Sequence, residues 1–342
     1  MLVMKNPNPF RVSRQCLLRH RDRLMRRARP GLHGTSALAS QSAVWPRLPL
    51  LSLLFAMALG IALEGCDLEA PGRRVAGPVT APALREISGV TPAQREDYYW
   101  VHNDSGDRPT IYALALTGRL VATVDVYGAF ALDWEDIASA PAADDGARLL
   151  YIADTGNNFR LRSELALYRI PEPLLGKPRR KPDGDPHPSG ERRRSAPAER
   201  FRFRYESGRR DCEALAISPR GDAAYLFSKG DATEVFRLKL GEPGEEVHVA
   251  RQVAKLGVSQ VTAASLSAVR SGFLLVSKRS ILEFRGGAGS PEEWLGKPPR
   301  VVATFGRDVQ LEAVTYDHTS TGFVTVAEGN PTAIHRFRLP EG

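Results

Sequence analysis

Three glutamates occupy matching positions in short segments of related sequence. Glu135, Glu213 and Glu312 each stand third in the segments DWEDIA, DCEALA and QLEAVT, and two further segments align Ser88 and Ala264 with them. Carboxylates held close together repel one another unless a proton, a basic side chain or a cation relieves the repulsion. Hydroxyl and carboxylate oxygens are ligands that suit a hard ion such as Ca²⁺. We therefore expect a Ca²⁺ site formed by Ser88, Glu135, Glu213 and Glu312.

The same glutamates are the candidates for acid–base chemistry. If the chain is an enzyme, Glu135 or Glu213 is the expected general base, with the cation polarising an ester. The seven histidines are scattered along the chain, so a zinc site is not expected. No Ser/His/Asp or Cys/His arrangement is recognisable around Cys212, which is expected to be a small buried residue.

A second set of polar residues follows the second β-like run of each repeated segment. Adjacent antiparallel strands bring the end of one strand beside the start of the other, which places this set on the same face as the glutamates. Such residues could line a funnel that binds a polar or anionic ligand, but Asp, Asn and Gly at these points are also typical of tight turns. Both interpretations remain open for the set Asn103, Asp104, Asp154, Asn158, Arg160, Lys229, Lys278 and Glu328.

The elements that position these residues form an internal repeat. Units of about 50 residues each contain four short β-like runs, and no stretch of useful length has helical periodicity. This pattern predicts an all-β fold, a single β-propeller of five four-stranded blades. Six blades are less expected because no sixth unit is found. The last unit lacks a fourth run, and residues 73–79 resemble the missing strand, so an N-terminal strand is expected to close the last blade.

One interval between repeats is longer than the others because of an insert at about 172–198. It is rich in Pro, Gly and Arg, which predicts a loosely packed surface loop. A basic loop could contact an anionic surface partner, and the alternative is a solvated loop with no partner.

The N-terminal region carries the charge excess of the chain. The formal net charge is +8, and residues 1–65 hold ten basic and two acidic residues, which equals that excess. Residues 48–63 form an uncharged apolar run that suits a signal-peptide core, and it is followed by Cys66. The remaining residues are balanced in charge, so no nucleic-acid partner is expected.

Leu63-Glu64-Gly65-Cys66 resembles the lipobox of bacterial lipoproteins. That resemblance implies cleavage before Cys66 and lipidation of its thiol. The expected organisation is a leader in residues 1–65, a lipidated cysteine, linker and closing strand in 66–83, and the propeller in 84–342. The protein would then be anchored to a membrane of the bacterial cell envelope through Cys66.

The order of Ser, Glu, Glu, a small residue and Glu on successive units resembles the calcium-activated nucleotidase (apyrase) family. The strings WVHNDSGD, DWEDIA, YIADTGNN and CEALAI are also similar to phytase-like and esterase-like bacterial propeller lipoproteins. The first resemblance implies a five-bladed propeller with a calcium ion in its central channel, held by the equivalent Ser and Glu side chains.

Two functions follow from these observations. The first is a monomeric binding or scaffold module of the envelope with a divalent cation in the channel. The alternative is a calcium-dependent hydrolase of phosphate or carboxylic esters that acts at the channel mouth. Fold does not choose between them.

Overall fold

The computed structural model describes residues 68–69, 74–141, 148–176, 191–306 and 309–341. Cys66, the apolar run 48–63 and residues 177–190 of the insert lie outside this part, so the leader, the lipidation and the character of that stretch stay predictions. Among the described residues, no helix is both long and apolar enough to cross a membrane.

Strands make up nearly all of the regular structure. The elements in chain order are β1 (Leu68–Glu69), β2 (Arg74–Val79), β3 (Ile87–Pro92), β4 (Tyr98–Asn103), β5 (Thr110–Ala115), β6 (Leu120–Asp125), β7 (Trp134–Pro141), β8 (Arg148–Asp154), β9 (Leu165–Pro171), β10 (Glu191–Arg194), β11 (Glu199–Tyr205), β12 (Cys212–Ile217), β13 (Ala223–Ser228), β14 (Thr233–Lys239), β15 (Val247–Leu256), β16 (Val261–Ser267), β17 (Gly272–Ser277), β18 (Ser280–Arg285), α1 (Pro291–Leu295), β19 (Arg300–Phe305), β20 (Leu311–Tyr316), β21 (Gly322–Ala327) and β22 (Thr332–Arg338).

Consecutive strands pair as antiparallel meanders. Three sheets have the orders β10-β6-β5-β4-β3, β1-β19-β18-β17-β16 and β2-β22-β21-β20. The fourth sheet has eight strands, because β11 at the end of one meander pairs in parallel with β15 at the end of the next. Its order is β12-β13-β14-β15-β11-β9-β8-β7.

The inner strands β3, β7, β12, β16 and β20 are neighbours in a closed order within the described part. Each contacts the next along the chain, and β20 returns to contact β3. Radial sheets around a closed set of inner strands are the architecture of a β-propeller. The chain therefore folds as an all-β propeller, as its repeat predicts.

The hydrophobic core lies between neighbouring meanders. One cluster joins Trp100 and Ile111 of the first meander to Trp134 and Tyr168 of the second, and four further clusters lie between neighbouring meanders in the same way. Because the central strands are covered on both faces, they are mainly apolar rather than alternating: β5, β13, β17 and β21 are buried along their whole length.

The sequence predicts one of two segments at the outer rim correctly, residues 73–79, and the other, the insert at 172–198, only in part. Residues 73–79 were expected beside the last repeat, and β2 pairs antiparallel with β22 there. The insert was expected to be a loop throughout 172–198, which is wrong for residues 191–194. These form β10, which pairs in parallel with β6, and the Arg192 guanidinium binds Asp125 at 2.6 Å. A free sheet edge and an oppositely charged side chain explain why an arginine-rich segment becomes a strand.

All five inner strands begin at the same end of the propeller, which we call the mouth face. The connections 104–109, 126–133, 155–164 and 206–211 lie on this face. Connections such as 93–97, 218–222 and 268–271 lie on the opposite face.

Candidate functional site

Every inner strand has a β-bulge after its first residue. The register shift skips Ser88, Glu135, Glu213, Thr262 and Glu312. A bulge leaves its extra residue unpaired and re-aims the side chain, so these five positions are structurally equivalent. The alignment that placed Ala264 in this set is wrong by two residues. Gln260-Val261-Thr262 matches Gln310-Leu311-Glu312, and that match is the signal in the sequence that identifies Thr262.

The two hydroxyl members of the set bind neighbouring inner strands. Ser88 Oγ donates to the Glu135 carbonyl at 2.7 Å, and Thr262 Oγ1 donates to the Leu311 carbonyl at 2.9 Å. Ser88 was expected to be a metal ligand, and this stays a prediction, because an oxygen that donates its proton can still coordinate a cation.

Two groups of carboxylates meet at the mouth and share Glu135. One group contains Asp104, Asp133 and Glu135, and the other contains Glu135, Asp211 and Glu213; within each group one oxygen per residue lies within 4.8 Å of the others. Glu135, Glu213 and Asp104 were predicted at this face. Asp133 and Asp211 were missed, although both begin the repeated segments and directly precede an inner strand.

Glu135 is the most isolated member. Its residue is 5% exposed, and its carboxylate has no hydrogen bond or ion pair with the described residues. Burial, followed by the charges of Glu213 and Asp104, raises its pKa to about 10. Gly156 packs directly against it, and a Cβ at that position would overlap Glu135 Oε1 and Asp133 Oδ2. A glycine here therefore leaves space for the carboxylates.

Lys229 supplies the one ion pair that the described residues make with these carboxylates. Its Nζ lies 2.6 Å from Glu213 Oε1. Burial alone would lower the pKa of Lys229, but Glu213, Glu312 and Glu135 raise it, so the ammonium stays charged. Burial still raises the pKa of Glu213 to about 7 in spite of Lys229. One ammonium therefore does not neutralise the mouth.

Glu312 belongs to the same electrostatic field but not to the two close groups. It is half-buried, and burial together with Glu328 raises its pKa to about 7. Burial, Glu86 and Asp104 likewise raise the pKa of Glu328. The predicted funnel residues Asp104, Lys229 and Glu328 thus come together with the predicted ligands.

The other funnel residues have structural roles or no visible partner at the site. The Asn103 side-chain oxygen accepts from the Arg85 amide at 3.1 Å, and Asp154 is paired with Arg162 at 2.9 Å. Arg160 and Lys278 are exposed residues with φ of 52° and 48°, which is the conformation of tight turns.

Asn158 is exposed, and its side chain has no hydrogen bond to a carboxylate of the described residues. Cys212 is fully buried, and burial raises the pKa of its thiol well above the usual range, so it is not an activated nucleophile.

Asp136 is a functional candidate that sequence reasoning missed. It is fully buried and follows Glu135, and its carboxylate accepts from the Ile137, Leu215 and Ala264 amides at 2.8, 2.8 and 3.3 Å. These amides belong to β7, β12 and β16, so one side chain links three inner strands below the mouth. Burial raises its pKa well above the ordinary value.

No protein-family model matches the chain, and no curated protein matches it. Among solved structures, a gluconolactonase from Xanthomonas campestris aligns with a TM-score of 0.44 and 13% identity over 81% of this chain and 97% of that chain. The WD40 repeats of RRP9 align with a TM-score of 0.37 and 8% identity over 74% of this chain and 67% of that chain.

The chain's own strand order and mouth define its class. It is an all-β propeller with a cluster of acidic residues that could bind a metal ion.

Proposed function

We propose that this chain is a lipid-anchored envelope protein whose five-bladed propeller binds Ca²⁺ at its acidic mouth and serves as a binding or scaffold module. The count of five blades treats the eight-stranded sheet as two meanders joined by β11 and β15. It is supported by the closed order of β3, β7, β12, β16 and β20.

One observation carries the cation site: Glu135 is a buried carboxylate without a partner among the described residues, and it is shared by two carboxylate groups. An unpaired buried charge is costly, so a protein either protonates it or binds a counter-ion beside it. The glycine at position 156 keeps the space next to it open.

The chemistry of the donors favours Ca²⁺ over a transition metal. Both groups consist of carboxylate oxygens only, with no histidine or cysteine. Asp104 and Asp133 are half-buried, which leaves room for water as additional ligands of an ion that prefers six to eight oxygens. Glu135, Asp133, Asp211 and Glu213 are the residues that would hold the ion, with Lys229 as its competitor for Glu213.

The anchor and the location follow from the lipobox-like sequence at Cys66 and the apolar run before it. The chain acts as a monomer on the envelope. Its basic insert offers a contact for an anionic surface, which the exposed Arg192 and Arg194 of β10 support.

Thermal denaturation with Ca²⁺ and with chelator tests the cation site. We expect Ca²⁺ to stabilise the wild type by about 2.7 kcal/mol when its concentration is a hundred times Kd. Glu135→Gln is expected to keep the chelator-state melting temperature, since it resembles the protonated acid, and to lose the Ca²⁺ response.

Glu245→Gln is the matched control because it removes one negative charge from a side chain that is 93% exposed. It should respond to Ca²⁺ as the wild type does. A melting temperature indifferent to both Ca²⁺ and chelator in the wild type would remove the cation site from the proposal.

A second candidate is a metal-dependent ester hydrolase. Glu213 favours it, because a pKa of about 7 is suited to a general base at neutral pH, whereas Glu135 with a pKa of about 10 is not. A bound cation would polarise the ester oxygen. The test is a panel of phosphate and carboxylic esters on the wild type and Glu213→Gln; turnover that needs Ca²⁺ and disappears in the variant would establish catalysis.

A further inference from the structure

Two loops of the mouth face expose large apolar side chains. Phe130 and Leu132 in the connection 126–133 are 64% and 65% exposed, and Phe159 and Leu161 in the connection 155–164 are 87% and 75% exposed. Scattered single apolar residues are normal on a protein surface, but a concentration of them at one place marks an interaction site.

The two loops flank the acidic mouth. Leu132 directly precedes Asp133, and the Gly156 amide donates to the Asp133 carbonyl at 3.2 Å, which joins the end of the first loop to the start of the second. Phe159 follows three residues after Gly156. The apolar side chains and the carboxylate cluster therefore belong to the same region of the mouth face.

The N-terminal chain reaches the propeller at this same face. Strand β1 pairs with β19 through Leu68 opposite Phe305 and Glu69 opposite Thr304. Thr304 also pairs with Ser280, at the mouth end of β18. Cys66 is two residues before Leu68 in the sequence, and two residues of extended chain span at most about 7 Å. A lipid on Cys66 would hold the mouth face toward the membrane.

The mouth face exposes basic side chains outside the carboxylate cluster, together with acidic ones such as Glu86, Glu206 and Asp231. The basic side chains come from five positions in four connections, none of which pairs its guanidinium or ammonium with a described carboxylate. They are Arg108, Arg160, Arg209, Lys278 and Arg279. Basic side chains close to a bilayer are attracted by anionic headgroups, each by about 1 kcal/mol.

We infer that the mouth face docks on an anionic lipid bilayer, with the tips at residues 130–132 and 159–161 entering the headgroup region. The inference rests on the lipid anchor of the proposed function. A bilayer fits better than a small ligand, because the apolar side chains protrude from loop tips instead of lining a cavity. A bilayer also offers headgroups to the unpaired basic residues of this face, which an apolar protein partner would not.

Docking in this orientation places the acidic mouth next to the lipid headgroups. A cation held by Glu135 and Asp133 would lie at the level of lipid phosphate groups. The opposite end of the channel, with the connection 268–271, would point away from the membrane.

Tryptophan depth measurements on the full chain in vesicles test the inference. Phe159→Trp and the control Val269→Trp are compared in vesicles of phosphatidylethanolamine and phosphatidylglycerol that contain brominated lipid. Val269 is 82% exposed and lies on the opposite face. The parent chain gives the background: Trp100, Trp134 and Trp294 are buried, and the signal of Trp45 in the leader is the same in the parent chain and both variants.

We expect the added emission of Phe159→Trp to fall by about half, since docked apolar side chains enter the boundary between headgroups and acyl chains. The emission of Val269→Trp should stay unquenched. Both positions are exposed, so the fold should tolerate either change, and circular dichroism checks this.

Quenching that is equal at the two positions, or absent at 159, overturns the docked orientation. Mass spectrometry of the vesicle-bound chain reports acylation of Cys66 separately. An acylated chain without quenching at 159 keeps the anchor and overturns docking. An unacylated chain that is quenched at 159 keeps docking and overturns the anchor. The loops could instead contact a second copy of the chain. In that case sedimentation would give a lower mass for Phe159→Ser than for the wild type, and Phe159→Trp would show no quenching. This result would overturn the lipid interpretation.

Discussion

Glu135 owes its raised pKa first to burial and then to neighbouring carboxylates, rather than to its residue type. Asp133 and Asp211 precede the inner strands, and Gly156 lets the carboxylates approach the backbone of the adjacent connection. Glu213 has a lysine partner and a pKa of about 7, while Glu135 has none and a pKa of about 10. Glutamates at equivalent positions of the repeat thus have different pKa values, because the residues next to them differ from blade to blade.

At this scale, Gly156→Ala should weaken the cation site without unfolding the protein. The new methyl group would overlap the ends of the Glu135 and Asp133 side chains, which can rotate away. Loss of ligand positioning typically costs about 10- to 100-fold in metal affinity. Isothermal titration with Ca²⁺ measures this.

Gly241→Ala is the matched control, because a Cβ there meets nothing within 4 Å. Unchanged Ca²⁺ affinity in Gly156→Ala would show that this glycine does not shape the site.

Stability without a cation should depend on pH through the same carboxylates. The folded-state pKa values of Glu213 and Glu312 are about 7, above the ordinary value of a glutamate. Their contribution to the free energy of unfolding is fully present below about pH 4.5, and it is lost as the pH rises through about 7. In chelator, the free energy of unfolding should therefore fall from pH 5 to pH 8, measured by urea denaturation.

Glu312→Gln should make that decline shallower, since one titrating group is gone, whereas Glu245→Gln should leave the slope as it is. Stability that increases with pH over this window would contradict the assignment.

The inner strand is the element that carries the site, and the sequence predicts it only in part. The period of about 50 residues, the β-rich runs and the closing strand at 73–79 are visible because turns and apolar runs have local signatures. The bulge is not, because it depends on pairing with the next strand, and this is why Ala264 was aligned in place of Thr262. Asp136 was missed for the same reason: its amide donors Leu215 and Ala264 are remote in sequence.

Asp136→Ala should destabilise the propeller strongly. It leaves buried amides of β7, β12 and β16 without an acceptor, at a cost of about 1–3 kcal/mol for each unsatisfied group. Urea denaturation should show a loss of more than about 3 kcal/mol. Asp231→Ala, at an exposed position with no hydrogen bond in the described part, should stay within about 0.5 kcal/mol of the wild type.

An equal, small effect of the two substitutions would mean that the link across the inner strands contributes little to stability.

The whole molecule is closed by its N-terminal segment. Strand β2 completes the sheet of β20–β22, and its Gly77 packs against the turn after β5, where a Cβ would overlap the Thr117 carbonyl. The same contact joins the last meander to the first, so the ring is held by hydrogen bonds and packing between distant parts of the chain.

Gly77→Val should therefore lower the stability of the entire propeller. Overpacking against backbone costs about 1–3 kcal/mol, because the turn must move. Differential scanning calorimetry should show one transition at a lower temperature. Gly241→Val, in open space, is the control, and a Gly77→Val protein as stable as this control would show that β2 is dispensable for closure.

The outer rim described above also bears on how the protein behaves in concentrated solution. A bare outer strand is a template on which another chain can add, the first step of fibril growth. Here β11 and β15 cover each other, β10 with its three arginines lies along β6, and Pro78 interrupts the donors of β2. Chains that lost residues 191–194 would uncover β6 and gain a tendency to self-associate that the intact insert suppresses.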